Sequence, residues 1–305
     1  MTLEQLRIFV AVAERQHVTQ AARELNLTQS AVSSAVAALE NRHGVSLFDR
    51  VGRAIVLNPA GQAFLSEAKA VLARAEAAEA ALTNLGDLSR GRLAIQASQT
   101  IASYWLPARL AAFRRAWPGI VLDVTIGNTR QVAEAVAEGL AELGFVEGAV
   151  DNPALEVSVV DQDQPVILVS PEHPWATSAP RAADLAETEW VLREPGSGTR
   201  AAFDLLLART GVDPAAAPVA ITLPDNESVR GAIESGMGAG VLSRSVVAAS
   251  LSTGTLVEVP FDLPPRAYWL VRHRDRWRGK AGEAFIATLK TFDCIERNDK
   301  NNTLD

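Results

Sequence analysis

The segment REPGSGTR, residues 193–200, combines the chemical groups that bind small anions. It contains two glycines that permit a tight backbone turn, two hydroxyl side chains where a helix begins, and an arginine with a fixed positive charge. Backbone NH groups, hydroxyls and a guanidinium together can satisfy the oxygens of an oxyanion. We therefore predict an anion-binding site at Gly196, Ser197, Gly198, Thr199 and Arg200. The alternative is a helix cap with a surface arginine. The segment lacks the spacing and the lysine of a nucleotide P-loop.

Other polar residues follow predicted strands in the same part of the chain. In open α/β sheets, ligands bind beyond the carboxyl ends of the strands, where helix N-termini present free NH groups. The strands RLAIQA, IVLDVTI and WVLRE end at such positions, and a further helix begins near Asn226. These positions extend the predicted ligand-binding site to Ser98, Gln99, Thr100, Asn128, Thr129, Glu194 and Asn226. Glu147 and Glu227 would oppose a highly charged anion unless they face away, and the sequence does not fix their orientation.

A second group of short polar side chains lies near the start of the chain. Apolar residues recur at steps of three and four on both sides of a break at Asn26 to Thr28, which predicts two helices that share an apolar face. Thr28 can cap the second helix. Gln29, Ser30, Ser33 and Ser34 then fall on or near its outer N-terminal face, where they could contact base edges and phosphates. This is a helix-turn-helix pattern, although an isolated pattern also fits an ordinary helical hairpin with a polar rim.

The neighbouring segments complete a DNA-binding domain at residues 1–58. An amphipathic helix near Leu3 to Ala13 would cover the shared apolar face. The stretch VGRAIVLN, residues 51–58, alternates like a strand and turns at Gly52, as a winged hairpin does. Arg50 and Arg53 would lie at the base and tip of this wing, where they could contact the DNA backbone or minor groove.

Residues 59–88 predict one long linker helix, opened by Pro59 and without internal proline. The apolar positions repeat at alternating steps of four and three, which is the heptad spacing of a coiled-coil seam. We expect this helix to pair with a second copy of the chain. The alternative is a helix that lies on its own domain. The seam consists of Phe64, Ala68, Val71, Ala75, Ala78, Leu82 and Leu85.

Beyond SRGR at residues 89–92 the chain alternates between strand and helix, which favours parallel sheets with helical crossovers. We assign residues 89–292 to an α/β domain with two subdomains and a cleft between them. Subdomain 1 covers about residues 91–161 and 266–292, and subdomain 2 covers about residues 162–265. Residues 293–305 form a polar tail.

Composition excludes several classes of protein. The formal net charge is −7, which argues against indiscriminate binding to nucleic acid or anionic membrane. Residues 1–58 carry six arginines and five acids, a net of +1, which leaves −8 for the remainder. Cys294 is the only cysteine, no His or Cys has metal-ligand spacing, and the N-terminus is unlike a signal peptide or a membrane span. We expect a cytoplasmic protein without a metal, a cofactor or a membrane partner.

The first 60 residues resemble the LysR-type bacterial transcriptional regulators. The residues that carry the resemblance are LEQLRIFVAVAERQHVTQAARELNLTQSAVSSAVAALENRHGVSLFDR followed by VLNPAG. The resemblance implies a winged helix-turn-helix, a dimerising linker helix and a two-subdomain α/β effector domain of periplasmic-binding-protein type, assembled as a homodimer or homotetramer. It also implies that a small molecule alters how the oligomer bends promoter DNA, with RNA polymerase as a further partner. Members often carry Arg and Gln after Ser33, whereas Ser34 and Ala35 follow here.

The REPGSGTR segment looks like one in LysR-type members that govern carbon fixation and sulfur assimilation. That resemblance implies a small oxyanion or a phosphorylated metabolite, and it places Ser98 and Thr100 where the family commonly holds its ligand. We therefore predict a ligand-controlled DNA-binding regulator and not an enzyme. The alternatives are an α/β solute-binding protein or an enzyme without a regulatory role, for which no motif groups a nucleophile with a base, and a purely architectural DNA-binding protein.

Overall fold

A computed structural model describes residues 1–51, 54–83, 91–276 and 278–290. Predicted features at the tip of the wing, including Arg53, at the end of the linker helix and in the polar tail lie outside the described residues. The chain divides into two compact units. The first contains Met1–Leu82 with Glu138–Leu140, and the second contains Thr83–Ala137 with Ala141–Asp305.

The first unit begins with three helices around a small apolar core. A capping box closes the start of the first helix, in which the amide of Gln5 donates to Thr2 Oγ1 and the amide of Thr2 donates to Gln5 Oε1. Asn26 has a φ of 55° in the turn between the second and third helices. The helices are α1 (Leu3–Arg15), α2 (Val18–Glu24) and α3 (Gln29–His43). Their core contains Leu6, Phe9, Val12, Ala21, Val32 and Leu39.

An antiparallel hairpin follows, formed by β1 (Phe48–Val51) and β2 (Ala54–Leu57). Phe48 anchors the hairpin to the helices, because its ring centre lies 5.6 Å from that of Phe9. The helix-turn-helix with a wing, predicted from sequence, is therefore present.

The linker helix, α4, covers Pro59–Thr83 within the described residues. The two halves of its predicted seam differ. Ala68 is fully buried and Phe64 is partly buried in the core of the same unit, whereas Val71 and Ala78 are exposed. The seam therefore packs on its own unit at the start and leaves apolar side chains uncovered further along.

The second unit contains a five-stranded sheet, formed by β3 (Gly91–Ser98), β4 (Ile120–Gly127), β5 (Leu143–Val146), β6 (Leu155–Asp163) and β12 (Arg266–His273). The strand order is β4-β3-β5-β12-β6. The strands β3 and β4 are parallel, as are β3 and β5, and β12 runs antiparallel to both of its neighbours. The helices α5 (Leu106–Ala116), α6 (Thr129–Glu138) and α10 (280–290) belong to this part, with a π-helical turn at Ile101–Trp105.

The remaining strands are β7 (Pro165–Val169), β8 (Trp190–Arg193), β9 (Val219–Leu223), β10 (Gly240–Ser243) and β11 (Val257–Val259). They form a three-stranded sheet in the order β10-β7-β11 and a parallel pair, β8 and β9. A parallel bridge between Trp190 and Ala239 connects the pair to the segment that leads into β10. The helices are α7 (Gly198–Thr210), α8 (Asn226–Glu234) and α9 (Arg244–Thr253), with short 3-10 turns at Pro174–Ala176 and Ala182–Ala186.

The prediction of parallel sheets was only partly right. Parallel pairing occurs where a helix connects two strands, as between β3 and β4. The chain crosses from one sheet to the other after β6 and crosses back before β12. The strands at these crossings, β6, β7 and β12, pair antiparallel with their neighbours. β6 itself was missed, because its polar residues SVVDQD give no continuous apolar run.

Candidate effector site and DNA-contacting surface

The start of α3 presents an exposed polar surface. Thr28 caps the helix, since its Oγ1 accepts a hydrogen bond of 3.2 Å from the amide of Ala31. Buried Val32 and Val36 fix the face that packs inward. The predicted contact residues Gln29, Ser30, Ser33 and Ser34 are all exposed. Their side chains are available for hydrogen bonds with a partner molecule.

Charged groups around this helix are few. Arg50 is exposed on β1 and Arg42 is exposed in the last turn of α3. Arg15 is paired with Glu24 at 2.9 Å on the exposed side of the helices. The surface could therefore contact phosphates at a small number of positions.

In the second unit, residues that follow β3 meet the start of α8. The amide of Asn226 donates to Gln99 Oε1 at 2.7 Å, and its side-chain Nδ2 donates to Thr100 Oγ1 at 3.0 Å. Asp225 caps the same helix by accepting from the amide of Ser228 at 2.7 Å, and hydrogen bonds from Ser228 lower the pKa of Asp225. Three predicted site residues are thus joined across the cleft between the two sheets.

Arg193 lies at the centre of this group, and the sequence analysis did not select it as a site residue. It is only 5% exposed, and it donates to Gln99 Oε1 at 3.1 Å and to Asn226 Oδ1. It also holds the carboxylate of Glu194 through two hydrogen bonds of 2.8 and 3.1 Å. The signal in the sequence was a charged residue at the end of an otherwise apolar strand, WVLR.

Glu194 connects the two sides of the cleft. Besides Arg193, its Oε1 accepts a 3.2 Å hydrogen bond from Asn128 Nδ2. Asn128 in turn caps α6 by accepting from the amide of Gln131 at 3.0 Å. The carboxylate of Glu194 therefore already accepts hydrogen bonds from Arg193 and Asn128.

Glu147 faces into the same region. It is 7% exposed and accepts a hydrogen bond from Ser98 Oγ. The guanidinium of Arg266 lies 3.8 Å from Glu147 Oε1 and is paired more closely with Asp163 at 2.7 Å. The orientation of Glu147, which the sequence did not fix, is therefore toward Ser98, and its carboxylate is buried beside this predicted ligand-binding residue.

Glu227 differs from Glu147 in its surroundings. It accepts a 2.7 Å hydrogen bond from Tyr104 Oη and pairs with Arg230 at 2.7 Å near the protein surface. Partial burial, followed by the hydrogen bond to Glu227, raises the pKa of Tyr104 to about 12. Tyr104 in the π-helical turn after β3 therefore contacts Glu227 in the first turn of α8.

The REPGSGTR segment forms a tight turn into α7. Gly196 has a φ of +92°, which favours glycine, and Ser197 caps the helix by accepting from the amide of Thr199 at 3.2 Å. Gly198 passes so close to Glu147 that a Cβ there would lie 2.7 Å from the Glu147 Cγ. The turn therefore requires glycine at both positions.

Two hydroxyls in this region lack partners. Among the described residues, Thr129 Oγ1 and Thr199 Oγ1 are buried and make no hydrogen bond. Thr129 lies in the first turn of α6, and Thr199 lies in the first turn of α7. A buried polar group without a partner costs about 1–3 kcal/mol, so a hydrogen-bond acceptor brought to either hydroxyl would stabilise the protein.

A cavity of about 520 Å³ opens beside the turn. Arg200 lines it, but the Nε of Arg200 is already bonded to Asp204 at 2.9 Å. Arg130 also lines the cavity and is exposed. The cavity wall includes Thr129, Arg130, Gly148, Gly196, Ser197, Gly198, Arg200 and Asp204. Apart from Ser98, the predicted effector residues therefore divide into two groups. One group lines this cavity and consists of Thr129, Gly196, Ser197, Gly198 and Arg200. The other, which we call the Arg193 network, consists of Gln99, Thr100, Asn128, Glu194 and Asn226 around Arg193.

Comparison with known families identifies the class of protein. Residues 3–62 match the model described as "Bacterial regulatory helix-turn-helix protein, lysR family", and residues 86–293 match the "LysR substrate binding domain". The chain therefore belongs to the LysR family, and it is a DNA-binding transcriptional regulator with an effector-binding domain. Within the described residues, no helix is both long and apolar enough to cross a membrane.

Individual relatives place the chain more narrowly. It is 35% identical over 288 residues to the "Uncharacterized HTH-type transcriptional regulator YeiE" of Escherichia coli (strain K12), covering 94% of this chain and 96% of that protein. It is 32% identical to the "Probable RuBisCO transcriptional regulator" of Nostoc sp., covering 93% and 86%. It is 34% identical to the "HTH-type transcriptional regulator CysL" of Bacillus subtilis, covering 82% and 83%. The predicted similarity to the carbon-fixation and sulfur-assimilation branch is confirmed, and these relatives are regulators and not enzymes.

A solved structure supports the fold. The chain aligns with "full-length CbnR complexed with the target DNA complex" at a TM-score of 0.71 and 21% identity, covering 95% of this chain and 99% of that one. The predicted architecture of a helix-turn-helix domain followed by an α/β effector domain is confirmed.

Proposed function

We propose that this regulator responds to a small oxyanion that binds in the cleft of the second unit. The observation that carries the proposal is the pair of buried hydroxyls, Thr129 Oγ1 and Thr199 Oγ1, which have no hydrogen-bond partner among the described residues. An oxyanion has several acceptor oxygens and could accept from both hydroxyls at once. Because each threonine lies in the first turn of a helix, the helix dipoles also favour negative charge there.

The surrounding side chains support a ligand of low charge. Arg193 is paired with Glu194, and Arg266 lies beside both Asp163 and Glu147, so two buried guanidinium groups face three carboxylates. These side chains supply no net positive charge, so the helix termini and hydroxyls provide the attraction for an anion. A buried charge is costly unless it is paired, which disfavours a ligand with many negative charges. In this proposal Ser98, Thr129, Thr199 and the Ser197–Thr199 turn contact the effector, and the Arg193 network connects it to both sheets.

For the DNA-binding unit, we propose that Gln29, Ser30, Ser33 and Ser34 contact base edges, with Thr28 as the cap. Arg50 and Arg53 would contact the backbone beside them. The support is the exposure of the α3 side chains and the uncovered apolar residues on α4, which favour a second copy of the chain as partner. We further propose the domain boundaries given above, a homodimer or homotetramer on promoter DNA in the cytoplasm, and RNA polymerase as an additional partner.

The test is the thermal stability of the full-length protein with a panel of inorganic oxyanions and phosphorylated sugars, compared between wild type and Thr199→Val. A ligand at 100 times its dissociation constant stabilises a protein by about 2.7 kcal/mol, which shifts the melting temperature by several degrees. Thr199→Val keeps the shape of the side chain and removes the hydroxyl. We expect the variant to be slightly more stable without ligand, by about 1 kcal/mol, because an unsatisfied polar group is gone.

The ligand-induced shift should be lost in Thr199→Val and retained in Thr177→Val, where an exposed threonine is changed in the same way. If no anion stabilises the wild type while an uncharged or aromatic compound does, the oxyanion proposal is wrong. If an anion stabilises both variants equally, the anion binds elsewhere.

A further inference from the structure

Glu147 is a buried carboxylate whose hydrogen-bonding capacity is only half used. It follows β5, and one carboxylate oxygen, Oε2, accepts from Ser98 Oγ. Among the described residues, no hydrogen bond reaches the other oxygen, Oε1. The nearest charged partner of Oε1 is Arg266 NH2 at 3.8 Å, beyond hydrogen-bond distance. This oxygen can therefore accept one more hydrogen bond.

The other carboxylates nearby are already satisfied. Glu194 accepts twice from Arg193 and once from Asn128. Asp163 accepts from Arg266 at 2.8 Å and from Ser243 Oγ at 2.6 Å. Glu147 thus differs from its acidic neighbours in having an acceptor to spare.

The chain around Glu147 contacts the turns that carry the two threonines. Gly148, the next residue, packs on Thr129, so that a Cβ on Gly148 would lie 2.8 Å from Thr129 Oγ1. Gly198, which precedes Thr199, packs on the Cγ of Glu147. Gly148 and Gly198 both line the cavity beside the turn, so Glu147 lies at the edge of the proposed effector site.

We propose that Glu147 makes the cleft selective for oxyanions that retain a proton, such as inorganic phosphate, over fully deprotonated ones such as sulfate. This inference rests on the proposed effector site. A carboxylate oxygen can only accept a hydrogen bond, so a bound oxyanion facing it must donate one. Phosphate retains an OH group at neutral and mildly acidic pH and can donate it to Glu147. Sulfate has only acceptor oxygens and would place two like-charged acceptors together.

The expected discrimination is large. A site built to bond a ligand hydroxyl rejects an analogue without that hydroxyl by factors that reach about 10⁴. Because Glu147 is beside a positively charged guanidinium, part of the repulsion is offset, and we expect a preference for phosphate over sulfate of at least about 100-fold. Replacing the carboxylate with an amide supplies a donor and removes the charge.

The experiment is a calorimetric titration of full-length wild type, Glu147→Gln and Glu172→Gln with inorganic phosphate and with sulfate, at mildly acidic pH and matched ionic strength. Wild type should bind phosphate and discriminate strongly against sulfate. Glu147→Gln should bind both ions within about tenfold of each other. Glu172→Gln is the matched control, and it should keep the wild-type preference because Glu172 is exposed and lies outside the proposed site.

A second measurement needs only the wild type and does not depend on whether Glu147→Gln folds. Phosphite loses its last OH proton near neutrality, whereas phosphate retains one. The affinity for phosphite should fall at least tenfold as the pH rises through neutrality, while the affinity for phosphate changes less.

The outcomes separate the two proposals. Equal binding of phosphate and sulfate by wild type, or an unchanged preference in Glu147→Gln, would overturn the role of Glu147 and leave an oxyanion site in place. Phosphite binding that follows phosphate binding across the pH range would also overturn it. If neither ion binds to wild type although another class of oxyanion does, this selectivity is wrong. If no oxyanion binds, the effector proposal fails as well.

Discussion

The start of α3 and the effector cleft use similar short polar side chains in opposite ways. On α3 the polar residues are neighbours in sequence, exposed, and mostly free of contacts with the rest of the unit. In the cleft they are buried and come from distant parts of the chain, as with Gln99 and Asn226, which are 127 positions apart. The helix therefore presents groups to an external partner, whereas the cleft fixes its groups against one another.

This difference determines how each region tolerates change. An exposed polar residue contributes little to stability, so its substitution should alter binding alone. A buried network loses several hydrogen bonds when one member is removed, so its substitution should alter both stability and binding. The predictions below test this contrast, from the largest effect to the smallest.

Arg193→Met should give the largest effect. The change removes both hydrogen bonds from Arg193 to Glu194, which keeps only the one from Asn128, and it leaves the side-chain carbonyl of Asn226 without its Arg193 donor. Breaking a buried ion pair costs about 3–5 kcal/mol, and because 27% of the Glu194 side chain is exposed we expect about 2–3 kcal/mol. Denaturant unfolding of the full-length protein measures this loss.

The matched control is Arg209→Met, an exposed arginine in the last turn of α7, which should change stability by less than about 0.5 kcal/mol. Specific DNA binding below the unfolding temperature should be retained in both variants. An equal effect of the two substitutions would contradict the central position of Arg193.

Ser33→Glu should give the second-largest effect, and it should weaken DNA binding without changing stability. The residue is exposed, so folding should be unchanged, but a carboxylate near the DNA phosphates and base edges should weaken specific binding at least tenfold, about 1.4 kcal/mol. Ala38→Glu adds the same charge at an exposed position on another face of α3. Operator binding measured by fluorescence anisotropy should fall much further for Ser33→Glu. Equal losses would mean that overall charge, and not the position of Ser33, controls binding.

Tyr104→Phe should give the smallest effect, about 0.5 kcal/mol, because the lost hydrogen bond to Glu227 is partly exposed. The pKa of Tyr104 is raised from 10.0 to about 12 in the folded protein. The stabilisation is therefore fully present below pH 10 and is lost as the pH rises through about 12. The chain has two tyrosines, and burial also raises the pKa of the second, Tyr268.

An absorbance titration of tyrosinate in wild type, Tyr104→Phe and Glu227→Gln measures these values. The step near pH 12 should vanish in the first variant and move to lower pH in the second. A wild-type tyrosine that titrates near its ordinary value while the protein is folded would show that the bond between Tyr104 and Glu227 is absent.

The sequence by itself determined the helices of the first unit and the exposed face of α3. Val32 and Val36 repeat with the period of a helix, so burying them leaves Ser33 exposed wherever the rest of the chain lies. Likewise, REPGSGTR predicted a turn into a helix because the left-handed φ of Gly196 and the Ser197 cap are local properties. Such features depend on residues only a few positions apart.

Only the tertiary structure decided how the cleft is connected. The sequence drew attention to Arg200, yet that arginine pairs within its own helix with Asp204, while Arg193 joins both sides of the cleft. The orientation of Glu147 toward Ser98 and the antiparallel placement of β12 also emerged only in three dimensions. The physical reason is that these contacts join residues far apart in the chain, so their geometry follows from how the two sheets pack and not from local periodicity.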